Sequence, residues 1–280
     1  MRRGLPLLLT AALVLLPSGC GDDDESPRKL ILATTTSTQD SGLLDDLLPA
    51  FTRDTGWEVT TLAVGSGQAI ELGRRGEADV LLVHSPTAEE ELVAEGTTGR
   101  RLLVMHNDFL IVGPPDDPAQ IGERNPPDAL TAIAEGEVPF ISRGDESGTH
   151  AKEKSIWAKA GIAPEGSWYS STGQGMSATL QVAAERNAYT LTDRATFLSQ
   201  RDTVDLVELG AGGPELLNVY HVIELTERAG DRVQTDGAAA FADWIVSATA
   251  QELIGRFGVD TYGEALFTPD AGRDEDELAA

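Results

Sequence analysis

The 280-residue sequence contains a single cysteine. One thiol forms no internal disulfide, and multi-cysteine metal sites are excluded with it. Lysine is nearly as scarce: only Lys29, Lys152, Lys154 and Lys159 occur. With arginine counted there are 21 basic residues against 46 acidic ones, a formal net charge of −25. Phosphate backbones are bound by clustered cations, so a broad nucleic-acid surface is excluded. His84, His106, His150 and His221 show no H-x-x-x-H spacing, and no metal cation or other cofactor is expected. The apolar run Leu5 to Leu16 falls short of the roughly 18–20 residues that a membrane-spanning helix needs. What the chain does have is apolar content: 41 % before its 29 glycines are added, enough for a packed core and against bulk disorder.

The first segment reads as an address. Met1-Arg2-Arg3 is a positive start, Leu5 to Leu16 has the length of a signal core, and small residues lead to Cys20. The lone cysteine falls where a lipoprotein signal places its lipid-modified residue, although Pro17 stands where such signals usually carry Leu. We therefore expect a signal peptide over 1–19 and a lipid anchor at Cys20. The polar run Gly21 to Pro27 buries nothing and reads as a tether, so anchor and tether cover 20–28. Removing Arg2 and Arg3 with the signal takes the net charge from −25 to −27. The last residues, 273–280, read as a frayed acidic tail.

Between these ends, short aliphatic runs alternate with helical patterns. Leu30 to Ala33, Trp57 to Val64 and Val80 to Val83 read as strands. Leu43, Leu44, Leu47, Leu48 and Phe51 recur at helical spacing, and Gly56 is a plausible stop. A helix starts at Pro86. Leu102 to Val104 and Phe109 to Val112 read as two further strands. After a loop over 113–128 a second series begins: a strand at Val138 to Ile141, helices near 150–160 and 176–187, and a strand at Tyr189 to Leu191. Leu216 to Leu225 contains a strand that returns to the first series, and 238–257 reads as one helix. The alternation predicts an α/β fold with mainly parallel sheets flanked by helices. Two series joined by two crossings predict two lobes with a cleft between them.

Three polar loops hand strands over to helices. Thr34-Thr35-Thr36-Ser37-Thr38 holds more hydroxyls than helix capping requires. With free backbone N–H groups and a helix dipole, they make a neutral anion seat. Gly65-Ser66-Gly67-Gln68 lacks the third glycine of a dinucleotide fingerprint, because Ile70 stands there. It does let an anion approach the backbone closely. Ser142 to His150 offers the donor fork of Arg143, then Ser147, Gly148 and Thr149 at a helix start. Asp145 and Glu146 would repel an anion, so they are expected to orient Arg143 or cap the helix. No G-x-S-x-G nucleophile elbow surrounds Ser147, and a triad assembled from distant residues stays open.

At these loops the sequence resembles the substrate-binding proteins of tungstate ABC transporters, from about Ile31 to Asp270. The carrying stretches are Ala33 to Gly42, Gly65 to Ala69, Gly76 to His84, Asn107 to Phe109, Ser142 to His150, Thr172 to Met176 and Tyr189 to Arg194. Glu146 departs from the second Asp usual at that position and keeps the charge. The resemblance implies a type II periplasmic-binding-protein fold that closes on an oxyanion. It implies lobe 1 over 29–112 and 217–272 and lobe 2 over 113–216. It implies ligand contacts from Thr35, Thr36, Ser37, Ser66, Arg143, Ser147, Gly148 and Thr149, with Thr172 and Thr192 beside them. The implied protein is an extracytoplasmic, membrane-anchored lipoprotein and a monomer. It would capture tungstate and deliver it to a permease coupled to an ATPase. Molybdate, sulfate and phosphate stay open as ligands, and a secreted serine hydrolase is the alternative from another class.

Overall fold

A computed structural model describes residues 28–210 and 212–278. The expected signal, Cys20 and all but the last residue of the tether lie outside the described residues. The strands are β1 (Arg28–Thr35), β2 (Trp57–Val64), β3 (Val80–Val83), β4 (Thr98–Gly113), β5 (Phe140–Ser142), β6 (Tyr169–Ser171), β7 (Thr190–Asp193), β8 (Val207–Leu209), β9 (Leu217–Leu225) and β10 (Thr268–Pro269). The helices are α1 (Thr36–Asp40), α2 (Leu43–Thr55), α3 (Ser66–Arg74), α4 (Pro86–Ala94), α5 (Pro126–Glu135), α6 (Gly148–Lys159), α7 (Met176–Glu185), α8 (Arg194–Gln200), α9 (Thr235–Ile245), α10 (Ala248–Arg256) and α11 (Val259–Tyr262).

Period-two alternation fixes the faces of the first sheet. Leu30, Leu32, Val80 and Leu82 join one core, while Ala33, Leu81 and Val83 join another on the opposite face. Helices α2, α9 and α10 cover the first face, where Phe51 meets Phe241 and Trp244 edge-on. Helices α3 and α4 cover the second with Ile70 and Leu92. Each fully buried side chain of this size contributes about 1.5–3 kcal/mol. Helix α2 opens with Asp45 and Asp46 at its positive end and stops at Gly56, whose φ of 74° a residue with a Cβ adopts at a cost.

Strand β1 pairs in parallel with β2 and β3. Strand β5 pairs in parallel with β6, and Phe140 bridges to Tyr189 in parallel. The antiparallel pairings come from the strands that cross: β9 lies between β3 and β4, and β4 also pairs with β7 and β8. Strand β4 changes partner at one point. Asp108 still faces Leu217 of β9, and Phe109 faces Asp193 of β7. A separate core gathers Phe140, Trp157 and Tyr189 with residues of α5 and α6.

Four expectations differ from the structure. The two strands read at 102–104 and 109–112 are one strand of 16 residues. The polar stretch between them is tolerated because Asn107 is hydrogen-bonded across the sheet to Asn218. The single helix read at 238–257 is two, since Ser247 caps α10 by accepting from Ala250 N. Part of the loop read over 113–128 is already α5, with prolines at its first positions and Asn125 as its cap. The acidic tail is held: the Glu275 carboxylate lies 3.1 Å from both Arg101 Nη1 and His221 Nε2.

That last contact belongs to a buried charge cluster. The Glu89 carboxylate of α4 is fully buried and accepts from Arg101 Nε at 3.0 Å and from the Ser85 backbone N–H at 2.6 Å. His221 Nδ1 is 2.9 Å from its other contact oxygen, Glu89 Oε2. Removing one member strands the others in low dielectric. We expect Glu89→Ala to lower unfolding stability by about 3–5 kcal/mol, read by urea denaturation. A loss below about 1 kcal/mol, the size of an exposed pair, would refute this account.

Candidate functional site

The polar loops all lie where a strand ends and a helix starts. β1 passes into α1 at Thr35, β2 into α3 at Gly65, and β5 reaches α6 through residues 143–147. Ser147 caps α6 by accepting from His150 N at 3.2 Å. Gly65 caps α3 without a side chain, which leaves the backbone approachable.

The loops meet across the cleft. Gly148 N donates to Ser66 Oγ at 3.0 Å, joining the start of α6 to the start of α3. Arg143 Nη2 reaches Thr36 Oγ1 at 3.5 Å, and Nη1 reaches Thr149 Oγ1 at 3.5 Å. Both are long contacts, so these donors retain capacity. Arg143 is only 2 % exposed, and its Nε has no hydrogen-bond partner. An unpartnered buried donor is costly, and this one sits among hydroxyls with donors to spare. Asp145 holds the guanidinium from the side, with Oδ2 accepting from Nη2 at 2.5 Å, while its Oδ1 accepts from Ser147 N. The expectation that Asp145 orients Arg143 holds. Glu146 turns outward to Lys154.

The backbone there has no slack. Gly144 has φ 62°, and a Cβ on it would overlap the Ser171 side chain. A Cβ on Gly148 would lie 3.0 Å from both His84 and Ser66 Oγ.

The sequence-derived residues divide by contact. Thr36, Ser66, Arg143, Ser147, Gly148 and Thr149 come together where the three loops meet. Thr35 and Ser37 adjoin them, 3.1 Å apart through their hydroxyls. Thr172 donates to the Arg143 carbonyl at 3.4 Å and pairs with Thr179, bracing the loop from behind. Thr192 is fully buried and turns its hydroxyl to the Asp193 carbonyl. Thr34 ties β1 to the Leu82 carbonyl. Among the described residues, no group of three or more His, Cys, Asp or Glu is placed to hold a metal ion.

A family model described as a PBP superfamily domain matches residues 22–249. The tungstate-binding protein TupA of Peptoclostridium acidaminophilum is 48 % identical over 260 residues, 92 % of this chain and 91 % of that protein. The structure of the tungstate ABC transporter from Geobacter sulfurreducens aligns with a TM-score of 0.76 at 42 % identity, covering 82 % of this chain and 98 % of that one. The TupA structure from Desulfovibrio alaskensis G20 aligns at 0.74 and 43 %, covering 87 % and 99 %. The chain belongs to the TupA family of periplasmic-binding proteins.

Behind the loops of this TupA-family chain stands a network that the sequence reading did not assign. His84 Nδ1 is 2.9 Å from Asn218 Oδ1, and Nε2 is 3.1 Å from Thr35 Oγ1. Asn218 Nδ2 donates to Asn107 Oδ1 and to the Tyr220 hydroxyl. The available signal was an asparagine inside each of the two crossing strands, Asn107 on β4 and Asn218 on β9. Asp193 is buried beside it, caps α8 and takes both the N–H and the hydroxyl of Thr196.

Burial sets the protonation of this layer. It pushes His84 down to about 4, opposed by the Asn218 hydrogen bond and aided by the charges of Arg143 and Lys152. It pushes the Asp193 carboxyl up, against the pull of Thr196 and Arg143. For Asp145 burial also acts upward, but the Ser147 hydrogen bonds and the Arg143 charge override it and hold the carboxyl low. His84 is thus neutral when folded, while an unfolded histidine titrates near 6.5. Its contribution to stability is complete above about pH 6.5 and is lost as pH falls toward 4. We expect this one group to account for about 3 kcal/mol across that window. The check is the slope of urea stability between pH 6.5 and 4.5, which should flatten in His84→Asn; equal slopes would rule it out.

Proposed function

We propose that this protein is the extracytoplasmic binding component of an ABC importer and that its ligand is tungstate. The observation that carries the reading is the buried Arg143 with a free Nε, set among hydroxyls and helix starts supplied by both lobes. The likeness to tungstate-binding proteins over nearly the whole chain supports the same ligand class. A tetrahedral dianion would sit between the lobes and take hydrogen bonds from Arg143, Thr36, Ser37, Ser66, Ser147, Thr149 and the Gly148 backbone. Each bond to a charged group is worth about 1.5–3 kcal/mol. Lobe 1 would comprise 29–112 and 217–272 and lobe 2 113–216, with β4 and β9 as the crossings. Closure would present the docking surface to a permease and, through it, to the ATPase. Cys20 would carry the lipid anchor of a monomeric protein.

We read the site as a binder with no catalytic step. The nearest approach to a triad is Ser37, His84 and Asn218, with Ser37 Oγ 3.4 Å from His84 Nε2. An imidazole pushed down to about 4 is a weak base for activating serine at neutral pH.

Calorimetric titration with tungstate, molybdate, sulfate and phosphate at matched ionic strength tests the assignment. We expect one-to-one binding of tungstate, with the other three weaker by about tenfold or more. Arg143→Ala removes two or more charge-assisted bonds and should weaken binding by about 100-fold or more. Absence of binding by all four anions would discard the reading.

A further inference from the structure

Hydrogen-bond directions around His84 follow from counting donors and acceptors. Asn218 spends its amide N–H groups on Asn107 Oδ1 at 2.7 Å and on the Tyr220 hydroxyl at 3.1 Å. In this orientation of the amide, which leaves Asn107 Nδ2 without a partner, Oδ1 faces His84 Nδ1 and accepts from it. With the hydrogen on Nδ1, Nε2 is an acceptor. The Thr35 hydroxyl, 3.1 Å away, is the closer of the two that can supply it, since Ser37 Oγ is at 3.4 Å.

Thr35 Oγ1 then has nothing left to give. Its hydrogen goes to His84. Its lone pairs take the Thr38 backbone N–H at 3.2 Å and the Thr38 hydroxyl at 2.7 Å. Ser37 Oγ lies 3.1 Å from this saturated oxygen and keeps its own hydrogen free. The far end of the network is anchored in the crossings, because Asn107 and Asn218 face each other in register on β4 and β9.

We propose that His84, held in its Nδ1–H tautomer by Asn218, is a positioning residue that consumes the Thr35 hydroxyl and thereby leaves Ser37 as the hydroxyl that donates to the bound oxyanion. The consequence for ligand binding rests on the oxyanion reading above. The tautomer itself does not. Thr35 becomes a support of the site and makes no ligand contact, and the strands that join the lobes set the direction of a hydroxyl in the cleft.

The groups facing His84 allow a decisive substitution. Tyr220 lies tilted against the ring at 4.7 Å between centroids, and Phe109 lies 6.4 Å from it, also tilted. Arg143 and Lys152 act on the ring as positive charges, and the Asp193 carboxyl acts on Tyr220. Asn218 is thus the contact through which an added negative charge reaches Nδ1 directly. Asn218→Asp favours the imidazolium, whose Nε2–H would push the Thr35 hydrogen away and redirect it toward Ser37.

Two measurements on the purified protein test this. In 15N NMR of the ligand-free protein, His84 should show a protonated Nδ1 and an unprotonated Nε2 from pH 8 to pH 5.5. The Nε2–H tautomer would overturn the proposal whether or not the protein binds tungstate, and whether or not any variant folds. In calorimetry, wild type should bind tungstate equally at pH 8 and pH 6. Asn218→Asp should lose about tenfold or more on going from pH 8 to pH 6. A folded Asn218→Asp that binds equally at both values would also overturn it. Failure of wild type to bind tungstate at all would instead sink the ligand assignment and leave the NMR result standing.

Discussion

A guanidinium withdrawn from water is the constraint around which this molecule is arranged. Moving a cation of that size into the interior costs several kcal/mol unless its donors are matched. Arg143 is matched on one side by Asp145 and left partly unmatched on the other. The loop that carries it is held from both ends, by the Ser147 cap on α6 and by the Thr172 and Gly173 bonds to its backbone. Those loops in turn hang on the two lobe cores, so the packing of Trp157 and Phe140 on one side and Phe51 and Phe241 on the other fixes where the guanidinium points.

The net charge of −25 opposes any anion at a distance. Screening in physiological salt confines that repulsion to about 8–10 Å. At the proposed site the balance reverses, because the groups gathered there are hydroxyls, backbone N–H groups and Arg143. Most carboxylates near the loops are already engaged. Asp145 holds Arg143, Asp193 caps α8, and Glu146 turns to Lys154. A strongly acidic protein can therefore offer a donor-lined site without a basic surface.

The fold was largely legible in the sequence, and the reasons are particular. Trp57–Val64 and Val80–Val83 matched to the residue because they are apolar or β-branched runs bounded by glycine or polar turns. The loops of the site were legible because each concentrates hydroxyls or glycines at a strand-to-helix junction. What could not be read was the layer behind them. His84, Asn107 and the Asn218–Tyr220 pair come from three separate stretches of sequence, and only the pairing of β4 with β9 and of β9 with β3 brings them together. Strand β4 itself was split because His106, Asn107 and Asp108 look like a break until their partners are known. The tail was misjudged for the same reason, since Arg101 and His221 are distant in sequence from Glu275.

The glycines at 144 and 148 have a meaning for how such a site can change over evolutionary time. Gly144 has no room for a side chain and is committed to a left-handed conformation, and a Cβ at Gly148 would press on His84 and Ser66. The main chain around the anion seat is therefore a fixed frame. With Thr36, Ser66 and Thr149 as the proposed ligand hydroxyls, descendants adapting to a larger or smaller oxyanion would do so by exchanging these side chains, one methyl group at a time. Ligand preference in this lineage is then free to drift in small steps, while the path of the loops stays frozen.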